Sequence, residues 1–230
     1  MDVPLLRPRR VWLMLLVVVV AGAAMAAPYV QLDARAGRLE VGGGLHHGLL
    51  VAHVLTATVA LVLGPLQFVP AIRARVRWHR RIGRTYLVVG VLPAAVTAVP
   101  VALLSGRVLT QVGLVIPAVG WLVTAGLALR AVRRGDVAAH RAWMTRNYAL
   151  TFLAVTGRVL VPLLLLTGLA VGAVSPADAR TATTSLIPVG QVLGWVVDLA
   201  VAEVLVRRAR RSRTASRSGR AGQGPVPARP

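Results

Sequence analysis

Trp78-His79-Arg80-Arg81-Ile82-Gly83-Arg84-Thr85-Tyr86 has a looser copy in His140-Arg141-Ala142-Trp143-Met144-Thr145-Arg146-Asn147-Tyr148, whose histidine follows the first by 61 residues. Each copy reads His-Arg and then Arg-x-Tyr, after a gap that differs by one residue, and each leads straight into a long apolar run. The repeat predicts one helical hairpin used twice, with a basic segment ahead of the second helix of each hairpin.

Over the whole chain, the 230 residues are 56% hydrophobic, include only seven acidic groups, and gather their apolar residues in long runs. A helix needs about 20 apolar residues to cross the hydrocarbon core, so the chain reads as an all-α polytopic membrane bundle. With no cysteine, disulfides, thiolate metal sites, iron–sulfur clusters and thiol nucleophiles are excluded. All 27 basic residues are arginine, a side chain that grips phosphate with two parallel hydrogen bonds.

Six spans are predicted, over 11–30, 48–70, 85–105, 112–131, 148–171 and 186–206, with a core made of two hairpins. A basic N-terminal tail (1–10) precedes this transmembrane domain (11–206), and a disordered arginine-rich tail (207–230) follows it. Arginines crowd one side, with 22 in the tails and in segments 71–84 and 130–146, against four (Arg35, Arg38, Arg107, Arg180) on the other. The positive-inside rule therefore predicts that both termini and both His-Arg segments lie in the cytoplasm. The first span has two readings. It is a retained anchor, or, with Ala24-Met25-Ala26 before Ala27, a cleaved secretory signal that would leave five spans.

Residues 31–47 read as an outer loop, with Asp33, Arg35, Arg38 and Glu40 ahead of Gly42-Gly43-Gly44 and His46-His47. Its glycine run lacks the Lys-Ser/Thr of a phosphate loop, and its adjacent histidines point different ways on a helix. The tail arginines, with no aromatic residue among them, suit anionic lipid rather than nucleic acid.

Ionisable groups at membrane depth cost at least about 2.5 kcal/mol each on insertion scales, so His53, Arg158 and Asp198 each need a partner or a task. Arg158 and Asp198 lie level near the midplane, which predicts an ion pair between the last two spans, either as a structural clamp or as a proton relay. His53, Met25 and Gln191 share a depth in the outer half. A His53–Gln191 hydrogen bond is one reading there and an axial His/Met haem site is another.

At the cytoplasmic mouth, His79, Arg80, Arg81, Arg84, Tyr86, His140, Arg141, Arg146 and Tyr148, with Gln67 nearby, combine arginine forks, titratable histidines and helix N-termini. All three favour an anion. The motif tyrosines are expected one turn inside the mouth. Ordinary basic anchors with aromatic residues in the interfacial belt remain the plainer reading, and haem held by His79 and His140 is a further one.

Three blocks carry a resemblance to a bacterial family of predicted multi-pass membrane proteins, domain of unknown function 2306. They are His53 leading through Gly64-Pro65-Leu66-Gln67-Phe68 into Arg73; His79-Arg80 with Gly83-Arg84-Thr85-Tyr86; and His140-Arg141 with Met144, Arg146, Tyr148 and Arg158. The resemblance covers about residues 45 to 205. It implies a helical membrane domain, brings no activity with it, and marks His53, Gln67, His79, Arg84, His140, Arg146 and Arg158 as positions to test.

No nucleophile–base set emerges, since Ser105, Ser175 and Ser185 fall at outer span ends, away from the cytoplasmic histidines. The function expected from the residues is non-enzymatic binding of an anionic lipid or metabolite headgroup at the cytoplasmic face. The alternatives are a redox protein holding haem or quinone through His53, His79 or His140, and a small proton-coupled permease.

Overall fold

The computed structural model describes residues 8–30 and 44–221, and among them there is helix and no strand. The expectations for residues 1–7, for the loop carrying Asp33, Arg35, Arg38 and Glu40, and for residues 222–230 fall outside the described residues. In order, the elements are α1 (Pro8–Val30), α2 (Gly44–Leu66), α3 (Pro70–Ala74), α4 (Val76–Thr85), a π-helical segment (Tyr86–Val91), α5 (Leu92–Leu104), α6 (Val108–Arg133), α7 (Val137–Ala170), a short 3-10 turn (Pro176–Asp178) and α8 (Ala179–Ala221).

Five stretches are long and apolar enough to cross a membrane: Gly44–Leu66, Val76–Leu104, Val108–Arg133, Val137–Ala170 and Pro176–Ser212. A shorter apolar stretch, Val11–Ala27, lies within α1. The outer faces carry exposed Val96, Leu122, Leu163, Leu166 and Val201, a pattern that only lipid solvates well. The chain is a polytopic helical membrane bundle.

Neighbours in sequence are neighbours in space: α1 packs on α2, α2 on α5, α5 on α6, α6 on α7 and α7 on α8, while α8 also reaches α6 and α2 reaches α7. Small residues set the closest approaches, as membrane helices without a hydrophobic drive between them require. A Cβ on Gly90 would lie 2.9 Å from Ala60, so the π segment and α2 touch backbone to backbone. Gly157 meets Gly190 and Gly194 in the same manner between α7 and α8. The π segment has a local cause. Pro93 has no N–H for the carbonyl four residues earlier and its ring crowds that carbonyl, so the helix widens just before it.

Helix boundaries depart from expectation at both basic segments. α4 begins at Val76 rather than 85, and α7 at Val137 rather than 148, so both motif copies are helical rather than loops. For α7 the reason is a cap. Gly135 turns the chain at φ 74°, and the Asp136 carboxylate then accepts the Ala139 N–H at 2.8 Å. The tail also differs, because α8 continues as helix through 207–221, where disorder was expected. Arginine is a good helix former, and Arg207 donates to Glu203 one turn back at 2.9 Å.

Candidate functional site

His79 and His140 hold matching positions. Each is the fourth residue of its helix, and each backbone N–H closes the first turn onto the residue before the helix, on Arg75 O at 3.1 Å and on Asp136 O at 3.0 Å. At the arginine-rich end of the bundle, His79 lies within electrostatic reach of His140, Arg73 and Arg141. Gln67, in the turn after α2, packs on Gly83, where an added Cβ would sit 3.2 Å from its Oε1. His140 Nδ1–H donates to Ala128 O at 2.9 Å, which fixes that tautomer and leaves Nε2 as the atom able to meet a ligand. Two polar atoms here, His79 Nδ1 and Gln67 Nε2, are buried without a hydrogen-bond partner. The cluster is therefore rich in cations and N–H donors, and two of its polar atoms are unsatisfied.

The other motif residues go elsewhere. Arg80 and Arg84 are exposed on a neighbouring stripe of α4, and the Arg81 guanidinium lies 5.9 Å over the Trp78 ring. Arg146 lies 4.9 Å over Trp143 and forms an ion pair with Glu203 of α8, its Nε donating at 3.1 Å. Glu203, which the sequence reading passed over, is thus held between Arg146 and Arg207. It is the lone acidic residue at that end of α8, and this was the available clue.

The tyrosines correct the sequence reading most. Tyr86 and Tyr148 are buried in the core rather than placed at the mouth or in an interfacial belt. The Tyr86 hydroxyl donates to Asn147 Oδ1 at 2.6 Å and lies 3.0 Å from Thr151 Oγ1. Asn147 spends both amide protons on α6, at Trp121 O and Thr124 Oγ1, each at 2.8 Å. Trp121 Nε1–H returns to Asn147 O at 3.1 Å and Thr151 Oγ1 at 3.0 Å. Tyr86, Trp121, Thr124, Asn147 and Thr151 thus form a buried polar knot across three helices, in which every side chain has a partner.

Tyr148 explains the Gly64-Pro65-Leu66-Gln67-Phe68 block. Its ring lies where a Cβ on Gly64 would stand, 2.0 Å from Cε2, and tilts against Phe68 with centroids 5.7 Å apart. Pro65 has no N–H for the carbonyl of Leu61 four residues before it, and the Tyr148 hydroxyl donates to that carbonyl at 3.0 Å.

Deeper in the bundle, two expected pairs do not form. Asp198 accepts the Thr156 hydroxyl at 2.8 Å, whereas Arg158 is exposed and donates to Ala154 O at 2.8 Å. Thr156 and Arg158 are two positions apart, about 200° around a helix, so Asp198 and Arg158 share a depth but not a face. His53 does not reach Gln191 either. Its Nδ1 sits 2.9 Å from Ala94 O on α5, while Gln191 packs on Gly113 of α6.

Among the described residues no group of three or more His, Cys, Asp or Glu side chains is placed to hold a metal ion. Residues 50–206 match the family described as predicted membrane protein, domain of unknown function 2306, and the chain belongs to that family. No curated protein and no solved structure matches it.

Proposed function

We propose that this member of the domain of unknown function 2306 family is a non-enzymatic protein of the bacterial inner membrane, its arginine-rich end in the cytoplasm, that binds a phosphate-bearing anionic headgroup between its two motif copies. The supporting observation is that His79, in a first turn equivalent to that of His140, lies within electrostatic reach of His140, Arg73 and Arg141, on the helix that packs on the donor-bearing amide of Gln67. Guanidinium groups and helix first turns favour an anion there. A lipid source for the phosphate is favoured by an apolar groove of about 260 Å³ on the same segment, lined by Ala71, Ile72, Arg75, Trp78 and Ile82. His140 Nε2, aimed by the Ala128 carbonyl, supports a haem-ligand reading as the second choice.

The test is thermal unfolding in mild detergent, with inorganic phosphate, anionic phospholipid or zwitterionic phospholipid added. The wild type is expected to be stabilised by an anionic phosphate species, and His79→Gln/His140→Gln is expected to lose that response while melting normally without ligand. Stabilisation by anionic phospholipid alone identifies a lipid, and equal stabilisation by phosphate a free anion. An undiminished response in the double variant reduces the motif to basic anchors, and a redox-sensitive haem band lost in that variant favours the second reading.

A further inference from the structure

Apart from the cluster of histidines, α8 carries three polar side chains on one face. Gln191, Trp195 and Asp198 are spaced four and three residues apart, which places them within about a 60° sector and over about 10 Å of rise. Gln191 Oε1, Trp195 Nε1 and Asp198 Oδ2 are each buried without a hydrogen-bond partner. A buried polar atom left without a partner is destabilising, and three on one face of a single helix point to one common occupant.

The surroundings narrow its chemistry. From α7, Thr156 donates to Asp198 Oδ1 at 2.8 Å and Tyr148 lies within electrostatic reach. Arg158, on the far side of α7, directs its guanidinium to Ala154 O. From α6, Gly113 packs under Gln191, and residues 108–129 include no ionisable side chain. Trp195 packs against the core cluster that includes Ala118, Trp121 and Leu150. On α8 itself the next acid, Glu203, is held by Arg146 and Arg207. An amide acceptor, an indole donor and a carboxyl oxygen in succession suit water, which both donates and accepts, better than any ion.

We propose that this face of α8 holds a file of water that gives protons access to Asp198, making Asp198 a proton-binding carboxyl inside the bundle. A proton arriving along the file bonds to Oδ2, the carboxylate becomes a neutral acid, and Oδ1 keeps the Thr156 hydrogen bond. Release returns the proton to water, so solvent is the only co-reactant.

Infrared difference spectroscopy of the full chain in lipid, stepped between mildly acid and mildly alkaline pH, tests this. A protonated-carboxyl band that titrates, shifts promptly in deuterium oxide and is lost in Asp198→Asn is expected, and Gln191→Leu and Trp195→Phe should keep the band but slow its deuterium shift. If Asp198→Asn does not fold, Thr156→Val, which removes the hydroxyl on Oδ1, must move the band instead. No titrating band, a band that neither variant alters, or a band deaf to deuterium oxide overturns the proposal.

Discussion

The two motif copies each send a tyrosine into the opposite hairpin, but they do so by different means. Tyr86 ends in a knot of five polar side chains on three helices, while Tyr148 makes one bond to a carbonyl that Pro65 has released and lays its ring in the space left by Gly64. The cause is the one-residue difference in gap. Tyr86 is the seventh residue after its histidine and Tyr148 the eighth, and one residue turns a helix by about 100°. Histidines in matching positions therefore lie within electrostatic reach of each other while their tyrosines diverge, one toward α6 and α7 and the other toward α2. The repeat keeps the meeting point and varies the brace.

That contrast is open to breakage at the glycines. Gly64→Ala drives a Cβ into the Tyr148 ring and is expected to cost about 3 kcal/mol as an overpacking change. Gly126→Ala, on α6, meets nothing within 4 Å and is expected to shift stability by no more than about 0.5 kcal/mol. Chaotrope unfolding in detergent measures both, and equal losses would mean that the Tyr148 ring does not lie over Gly64.

A smaller effect sharpens the comparison of the braces. Tyr86→Phe leaves Asn147 Oδ1 without its donor inside the knot and is expected to cost about 2 kcal/mol, whereas Tyr148→Phe leaves only the Leu61 carbonyl unserved and keeps the ring, for about 1 kcal/mol. The reverse order in the same unfolding measurement would make the released carbonyl the stronger anchor.

Composition and run length made the helical membrane class legible, and the repeat marked the two histidines that hold the same position in their helices. Depth was also legible, but facing was not. Arg158 and Asp198 were matched by level, yet Thr156 takes the side of α7 that Arg158 would have needed. The motif tyrosines were expected one turn inside the mouth, because aromatic residues near span ends usually belong to the interfacial belt. Nothing local shows that Leu61 has a carbonyl to spare, although Pro65 four residues on gives that away once the partner is known. Asn147 hid as the variable residue of Arg-x-Tyr, and its worth appears only when Tyr86, Trp121 and Thr124 arrive from elsewhere in the chain.

The convergence of the two histidines carries the proposed headgroup site, and the absence of native cysteine permits a clean probe of it. His79→Cys/His140→Cys, treated in membranes with a short thiol-bridging reagent and analysed by mass spectrometry of linked peptides, should give a link within one chain between the two sites, in higher yield than an Arg80→Cys/His140→Cys control. A link no more frequent than in the control, or one formed only between chains, would contradict the meeting of the two motif copies.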